Sequence, residues 1–167
     1  MALTAEEIKQ LLKLEPHPTC GFVTETYRST LRIPQLALPA GYTSDRPFGS
    51  ALYFLVTPDA RMRIHSNRSD QLYQYHMGGP LEVLLLYRGG QGEVSTVGDD
   101  LKAGMRPELF IPGGTFHVSR LGAAARWALL SATAWPGVEP PDIEQGDPAK
   151  LMAAYPELRE AIDAFTR

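Results

Sequence analysis

Three of the four histidines lie in two short segments, which contain the residues best suited to chemistry. His65 and His76 belong to RMRIHSNRSDQLYQYHMGG at residues 61–79, and His117 ends IPGGTFH at residues 111–117. The first segment alternates polar and apolar residues on either side of a turn, and the second contains a Pro-Gly-Gly bend, so each predicts a pair of strands. We expect the two strand pairs to gather their polar side chains inside one barrel.

Side-chain parity selects the residues that can meet, because successive side chains of a strand point to opposite faces. The residues that share one face of the first strand are Arg61, Arg63, His65 and Asn67. Those that share one face of its partner strand are Gln71, Tyr73, Tyr75 and Met77. His76 has the other parity, so we do not expect it to join the site. His17 stands between two prolines and is expected at the surface.

Composition excludes several classes of protein. The chain has 167 residues, enough for one domain with a substantial core. Its net charge is -3 with no run of Lys or Arg, which argues against nucleic acid as a partner. No apolar run approaches the roughly 20 residues of a membrane helix, and the N-terminus lacks the order of a signal peptide. The single cysteine, Cys20, excludes an internal disulfide, so we expect a cytoplasmic protein with a buried, unreactive thiol.

Helical sequence is found near both ends of the chain. TAEE at residues 4–7 is a capping box, which predicts a helix over residues 4–14. The pair Asp147-Pro148 suits the N-cap and first position of a second helical region, residues 148–166.

Between these helices, turn residues divide residues 20–136 into about ten short strands. Strands at this spacing are typical of a β-sandwich or barrel, so the sequence predicts one mainly β domain over residues 1–167. A proline-rich loop at residues 33–48 interrupts the strands. A loop of this length is either a functional lid or a surface excursion, and the sequence favours neither.

Two motifs resemble those of the cupin superfamily. The second cupin motif, Pro-x-Gly-x-x-His, is matched by Pro112, Gly114 and His117. In the first motif His65 matches, whereas Asn67 replaces a second histidine and Gln71 replaces a glutamate. Segments such as HPTCGFVTETYRS and LEVLLLY extend the resemblance to the small single-domain Cupin_5-type proteins of undefined function. The resemblance implies a double-stranded β-helix (jelly roll), related to the dTDP-4-keto-sugar epimerases.

Three functions are open. A full cupin metal site has three imidazoles and a carboxylate and suits Zn, Ni, Fe or Mn. Of these ligand positions, the resemblance leaves His65, Gln71 and His117 as metal ligands in this chain. In the related epimerases the position of His65 is the catalytic base, and Tyr73 or Tyr75 would be the acid. The function we favour is binding of a small polar, sugar- or nucleotide-like metabolite in the barrel. Its candidate ligand-binding residues are Arg63, His65, Asn67, Gln71, Tyr73, Phe116 and His117.

Self-association is expected from two strands that are apolar on both faces, LEVLLLY at residues 81–87 and RWALLSATAW at residues 126–135. A lone barrel turns one face of each sheet toward water, where so much apolar area is unfavourable. A homodimer that buries one sheet face accounts for the pattern, and the resemblance implies the same.

Overall fold

The computed structural model describes residues 3–60 and 62–167. Arg61, expected on the same face as Arg63, lies outside the described residues. The helices are α1 (Ala5–Leu12), α2 (Pro148–Ala154) and α3 (Arg159–Thr166), with 3-10 turns at Gln35–Ala37, Pro140–Asp142 and Pro156–Leu158. The strands are β1 (Glu15–His17), β2 (Gly21–Arg28), β3 (Arg32–Ile33), β4 (Arg46–Pro47), β5 (Ser50–Val56), β6 (His65–Asn67), β7 (Asp70–Gly78), β8 (Leu81–Leu86), β9 (Gly92–Val97), β10 (Glu108–Ile111), β11 (Phe116–Leu121), β12 (Ala128–Trp135) and β13 (Ile143–Gln145).

Two antiparallel sheets face each other. The larger has the strand order β1-β2-β5-β12-β7-β10, and the smaller has the order β13-β6-β11-β8-β9. From β5 to β12 the chain passes repeatedly from one sheet to the other, which is the winding of a double-stranded β-helix. The predicted jelly roll with an N-terminal helix and C-terminal helices is confirmed.

Helices of the same chain cover both sheets. On the outer face of the larger sheet, Ile8 of α1 packs with Leu55 and Leu129. On the outer face of the smaller sheet, α3 packs against β8 and β11, and its Ile162 and Phe165 share a buried cluster with the leucines of β8. The two-sided apolar character of β8 and β12 therefore reflects packing within one chain. Helices α1 and α3 thus cover apolar sheet faces that the sequence pattern assigns to a second copy of the chain.

A buried ion pair anchors the loop at residues 33–48. Arg46 and Asp142 are 1% and 4% exposed, and Nε and Nη2 of Arg46 each donate to one carboxylate oxygen of Asp142 at 2.7 Å. The Arg46 guanidinium also lies over the ring of Tyr42. The short strands β3 and β4 pair within the loop. The segment is therefore a fixed part of the fold, and neither a disordered excursion nor a free lid.

Asp142 also connects this loop to the strand that contains His65. Its carbonyl oxygen accepts a hydrogen bond from the backbone N–H of Arg68, in the turn after β6, at 2.9 Å. The strand β13 begins at the next residue and pairs with β6, which places Gln145 opposite His65. The ion pair therefore holds β13 in position beside β6.

Replacing Asp142 with alanine should lower the free energy of unfolding by about 3–5 kcal/mol, because the Arg46 guanidinium is left buried without its counter-ion. The double variant Arg46→Met/Asp142→Leu should lose less, since no buried charge remains. Urea denaturation measures both. Glu25→Ala, which breaks an exposed pair with Arg28, is the control and should change stability little. A loss below about 1 kcal/mol for Asp142→Ala would contradict the assigned role of the pair.

Candidate functional site

His65 and His117 face each other across the β6–β11 ladder. They are direct partners in the antiparallel register, and their ring centroids are 4.4 Å apart at an interplanar angle of 55°. Tyr73 of β7 reaches the pair from the larger sheet, with its hydroxyl 3.1 Å from Nε2 of His117. His65, His117 and Tyr73 are 3%, 0% and 2% exposed. The two sheets thus bring three of the predicted site residues into one buried cluster.

Backbone carbonyl groups fix the tautomers of both imidazoles. Nδ1 of His65 lies 2.8 Å from the carbonyl oxygen of Arg63, and Nδ1 of His117 lies 3.2 Å from that of Thr115. A carbonyl oxygen only accepts, so each Nδ1 is the protonated nitrogen, and in the neutral ring each Nε2 is an acceptor. Nε2 of His117 accepts from the Tyr73 hydroxyl. Nε2 of His65 is therefore a second acceptor at the same place.

Burial keeps this cluster neutral. Burial, and after it the neighbouring His65, lower the pKa of His117 to about 3, against the opposing effect of the bond to Thr115. Burial also lowers the pKa of His65 and raises the pKa of Tyr73 well above its ordinary value. At neutral pH the site thus consists of two uncharged imidazoles and an uncharged phenol, which form hydrogen bonds without ion pairing.

Two side chains that face the barrel have polar atoms without a hydrogen-bond partner among the described residues. These atoms are Oε1 of Gln71 and Oγ of Ser119, in residues that are 8% and 3% exposed. Gln71 shares a face of β7 with Tyr73, and Ser119 shares a face of β11 with His117. Buried polar atoms are normally paired, so an unpaired one marks a place for water or a ligand. The sequence-based site omits Ser119, although its parity with His117 would have indicated it.

Asn67 supports a turn and does not reach the histidine pair. Its Oδ1 accepts from the backbone N–H of Ser69 at 3.1 Å, and its carbonyl oxygen accepts from the N–H of Gly114 at 2.6 Å. Gly114 has a φ of +79°, where glycine is favoured, and a side chain there would meet the Arg88 guanidinium. Asn67 and Gly114 thus lock together the two turns that flank the site.

Tyr75 and Phe116 lie away from the pair. The Tyr75 hydroxyl donates to the carbonyl oxygen of Gly78 at 2.6 Å, where β7 ends. Phe116 precedes His117 in β11, so its side chain points to the opposite face, and it packs against the main hydrophobic cluster. The structure therefore does not bring the candidate acid Tyr75 or the candidate ligand-binding residue Phe116 to the imidazoles.

The side chains of Arg63 and His76 lie outside the barrel. Arg63 is exposed and contacts His65 through its carbonyl oxygen, not its guanidinium. His76 packs edge-on against Tyr53 with centroids 5.5 Å apart, on the outer face to which its parity assigns it. Arg63 can therefore act only on a ligand that extends outside the barrel.

The residues at the pair do not fit a firmly held divalent metal. Their donor atoms belong to two imidazoles, an amide and a phenol, none of them anionic at neutral pH. Within residues 3–60 and 62–167, no three His, Cys, Asp or Glu side chains gather where they could hold a metal ion. Nε2 of His117 already accepts from Tyr73. The set His65, Gln71 and His117 lacks the third strong ligand that transition-metal sites normally have.

Comparisons with known proteins identify the family. A family model described as "Cupin superfamily (DUF985)" matches residues 6–145. The chain belongs to this family. Similar solved structures include a hypothetical protein from Leishmania major, with 26% identity, a TM-score of 0.88 and coverage of 98% of this chain and 99% of that one. A protein from Shewanella oneidensis has 26% identity, a TM-score of 0.84 and 99% coverage of both chains.

A more distant structural match gives information about the fold only. A cupin 2 domain-containing protein from Halorhodospira halophila has 13% identity and a TM-score of 0.54, covering 92% of this cupin and 87% of its own chain, and shows the fold alone. No functionally curated protein matches the chain. Family membership confirms the resemblance, whereas the relation to keto-sugar epimerases stays a prediction.

In the described parts of this cupin, no helix has the length and apolar character needed to cross a membrane.

Acidification should destabilise this cupin progressively over a range of pH set by two pKa values. The upper one is the ordinary histidine pKa of about 6.5, which applies to the unfolded chain. The lower one is the pKa of about 3 of His117 in the folded chain. Because the unfolded chain binds these protons more readily, stability that is complete at higher pH is lost as the pH falls. One such histidine contributes a slope of up to about 1.4 kcal/mol per pH unit. His117→Gln should flatten the slope measured by urea denaturation across pH. His76→Gln should change it less, because His76 is exposed and only partial burial lowers its pKa. An unchanged slope in His117→Gln would refute this origin.

Proposed function

We propose that this cupin binds a small polar metabolite at the His65–His117 pair. The proposal is supported by acceptors that lack donors in the barrel. No described residue donates a hydrogen bond to Oε1 of Gln71, and the bond of His65 involves Nδ1 and leaves Nε2 as an acceptor. Hydroxyl or amino groups of a sugar- or nucleotide-like ligand are donors of the kind that such atoms need.

Hydrogen bonding defines which histidine is free to contact a ligand. His65 and His117 are both buried, but Nε2 of His117 already accepts from Tyr73, so the ligand is proposed to contact His65. His117 is held from behind by the Tyr73 hydroxyl and supports the His65 ring at 4.4 Å between centroids. In this arrangement His65 and Gln71 contact the ligand, and His117 and Tyr73 fix the position of His65.

A panel of sugars and nucleotides tests the binding proposal. At a hundred times its Kd, a ligand raises the free energy of unfolding by roughly 2.7 kcal/mol, which is a measurable rise in Tm. Compounds that raise the Tm should also shift the His65 ring ¹⁵N signals, and both effects should disappear in His65→Asn. His76→Asn makes the same change on the surface and should retain them. The proposal fails if every stabilising compound acts equally on the wild type and on His65→Asn.

A second candidate function is epimerisation beside a carbonyl, with His65 as base. It is favoured by the free lone pair that the tautomer gives to Nε2 of His65, since a neutral imidazole can remove a proton. Of the two tyrosines expected as the acid, Tyr73 lies at the pair, and burial keeps it protonated by raising its pKa. Its hydroxyl donates to His117, so it would have to leave that bond to protonate a substrate.

Solvent exchange tests the epimerase candidate. In D₂O the wild type should incorporate deuterium into a dTDP-4-keto-sugar, and His65→Asn should do so at least about a hundredfold more slowly, because a general base contributes on that order. His76→Asn should exchange at the wild-type rate. Absence of deuterium incorporation by the wild type would exclude this candidate and leave the binding proposal intact.

We also propose that the chain forms a homodimer through the outer face of the larger sheet. The sheet registers align one row of side chains across five strands. The row consists of Phe110, Leu72, Thr133, Ala51 and Tyr27. Phe110 and Tyr27 are 54% and 57% exposed, and α1 covers a different part of this face, around Leu55 and Leu129. Because the row runs across the sheet, a second copy related by a two-fold axis can lay its own row against it.

Light scattering should give twice the 18.4 kDa mass of one chain. The variant Tyr27→Ser/Phe110→Ser should give a single-chain mass, because it removes the apolar area at both ends of the row. Leu101→Ser, at an exposed apolar residue in another part of the chain, should remain dimeric. A monomeric wild type at micromolar concentration would disprove the dimer.

A further inference from the structure

A cavity opens where the short strand β6 leaves its neighbour β11. β6 pairs with β11 only at Phe116 and His117, whereas β8 pairs with β11 as far as Leu121. Consecutive residues 119–122 line a cavity of about 320 Å³, so it lies along the edge of β11 that is not paired with β8. The end of β5 and the end of α3 form its other walls. Its volume is at the lower limit of cavities that bind small molecules.

Two hydroxyl groups in the wall of this cavity have no hydrogen-bond partner among the described residues. They are Oγ1 of Thr57 and Oγ of Ser119, in residues that are 5% and 3% exposed. The Asp59 carboxylate is near enough to Thr57 for the hydroxyl to lower its pKa, but the two groups do not meet the geometry of a hydrogen bond. Buried hydroxyls are normally paired, so two unpaired ones in one wall point to a bound molecule.

Both hydroxyls can turn toward the cavity without losing a hydrogen bond. Their oxygen atoms are shielded from solvent, but each residue contributes to the wall. Rotation about the Cα–Cβ bond exchanges the positions of the groups on Cβ. Because neither oxygen gives up a partner, this rotation costs only the difference in energy between two rotamers. A molecule in the cavity can thus bring either hydroxyl into contact with itself.

The rest of the wall is apolar or electrically balanced. The charged side chains of Arg120 and Arg167 are ion-paired with Glu82 and Asp163. A ligand with a charge would have to compete with these partners or be buried without a counter-ion, which is unfavourable. The apolar side chains are those of Val56, Leu121, Ala125 and Phe165. The wall therefore suits an uncharged molecule that is largely apolar.

We infer that this cavity binds a small uncharged molecule whose apolar body carries an amide or alcohol group, with Thr57 and Ser119 as its hydrogen-bond partners. Amide and alcohol groups both donate and accept, as the two hydroxyls do, so each contact can form in either direction. The apolar body is removed from water against Leu121 and Phe165. This site goes beyond the proposed function, since it needs neither His65 nor Gln71.

Four probes of similar size test the chemistry of the ligand: benzamide, benzyl alcohol, benzoate and toluene. Titrations are followed by the backbone amide NMR signals of Thr57 and Ser119. Benzamide or benzyl alcohol should bind roughly tenfold more tightly than toluene, because each forms hydrogen bonds that toluene cannot. Benzoate should bind roughly tenfold more weakly than benzamide, because its charge is buried without a counter-ion. The tighter of the two neutral polar probes identifies the polar group.

Three variants test the residues. Thr57→Val and Ser119→Ala should each weaken the polar probes roughly threefold to tenfold and leave toluene unchanged. Thr57→Val should also raise the Tm of the free protein, because it removes an unpaired buried hydroxyl and keeps the shape of the side chain. Thr133→Val is the matched control, since Oγ1 of Thr133 is also unpaired but belongs to the outer face of the larger sheet. It should raise the Tm and bind every probe like the wild type.

Every other outcome contradicts the inference. It is wrong if toluene binds as tightly as the polar probes, if benzoate binds most tightly, or if neither polar probe shifts the two signals at about 10 mM, where a Kd of about 1 mM gives near-saturation. Unchanged binding in both Thr57→Val and Ser119→Ala also overturns it, and Ser119→Ala alone decides this point should Thr57→Val fold poorly. His65→Asn should bind benzamide like the wild type, and a loss there would assign the ligand to the barrel instead. Binding at the cavity survives a failure of the barrel proposal, so the two are tested separately.

Discussion

The short ladder between β6 and β11 is the constraint on which the candidate site depends. β6 has only three residues, and it meets β11 at two positions, one of which sets His65 opposite His117. So short a strand is held in register by its neighbours, and β13 supplies the pairing on its other side. The position of β13 depends in turn on Asp142, the residue just before this strand, which its buried ion pair with Arg46 holds in place. An ion pair far from the imidazoles in sequence thus helps to determine the distance between them.

The backbone that positions the two imidazoles also determines which nitrogen of each ring accepts a hydrogen bond. Each imidazole donates from Nδ1 to a carbonyl oxygen two residues earlier in the chain, just before its own strand begins, so its tautomer follows from the local backbone. Both Nε2 atoms are then acceptors, and that of His117 accepts from Tyr73 inside the barrel. At the two motif positions where a histidine and a glutamate are usual, Asn67 caps a turn and Gln71 offers a neutral amide. These two substitutions replace charge with hydrogen bonding, which favours recognition of donors over retention of a cation.

Local sequence patterns predicted the elements and much of the site, because parity and turn chemistry are local properties. The alternation of residues placed Gln71 and Tyr73 on one face and excluded His76, and the structure has them so. Parity alone would also have placed Phe116 opposite to His117. The partner of Arg46 could not be predicted, since nothing near Arg46 or Asp142 indicates a contact between residues 96 positions apart. The two-sided apolar pattern of β8 predicts that both faces are covered, but it does not reveal whether the cover is a helix of the same chain or a second copy.

The barrel interior is polar where an apolar side chain would be more stable. A buried acceptor without a partner costs about 1–3 kcal/mol, and both Gln71 and Ser119 present such atoms. A leucine at residue 71 would remove that cost and add apolar contacts next to Ile111, its neighbour in the β7–β10 ladder. The interior therefore is not arranged for stability alone. Its unpaired polar atoms, Oε1 of Gln71 and Oγ of Ser119, lie on the strand faces that also carry Tyr73 and His117. The proposed ligand would supply the partners that these atoms lack, and it would lose little entropy because the imidazoles are already held by hydrogen bonds.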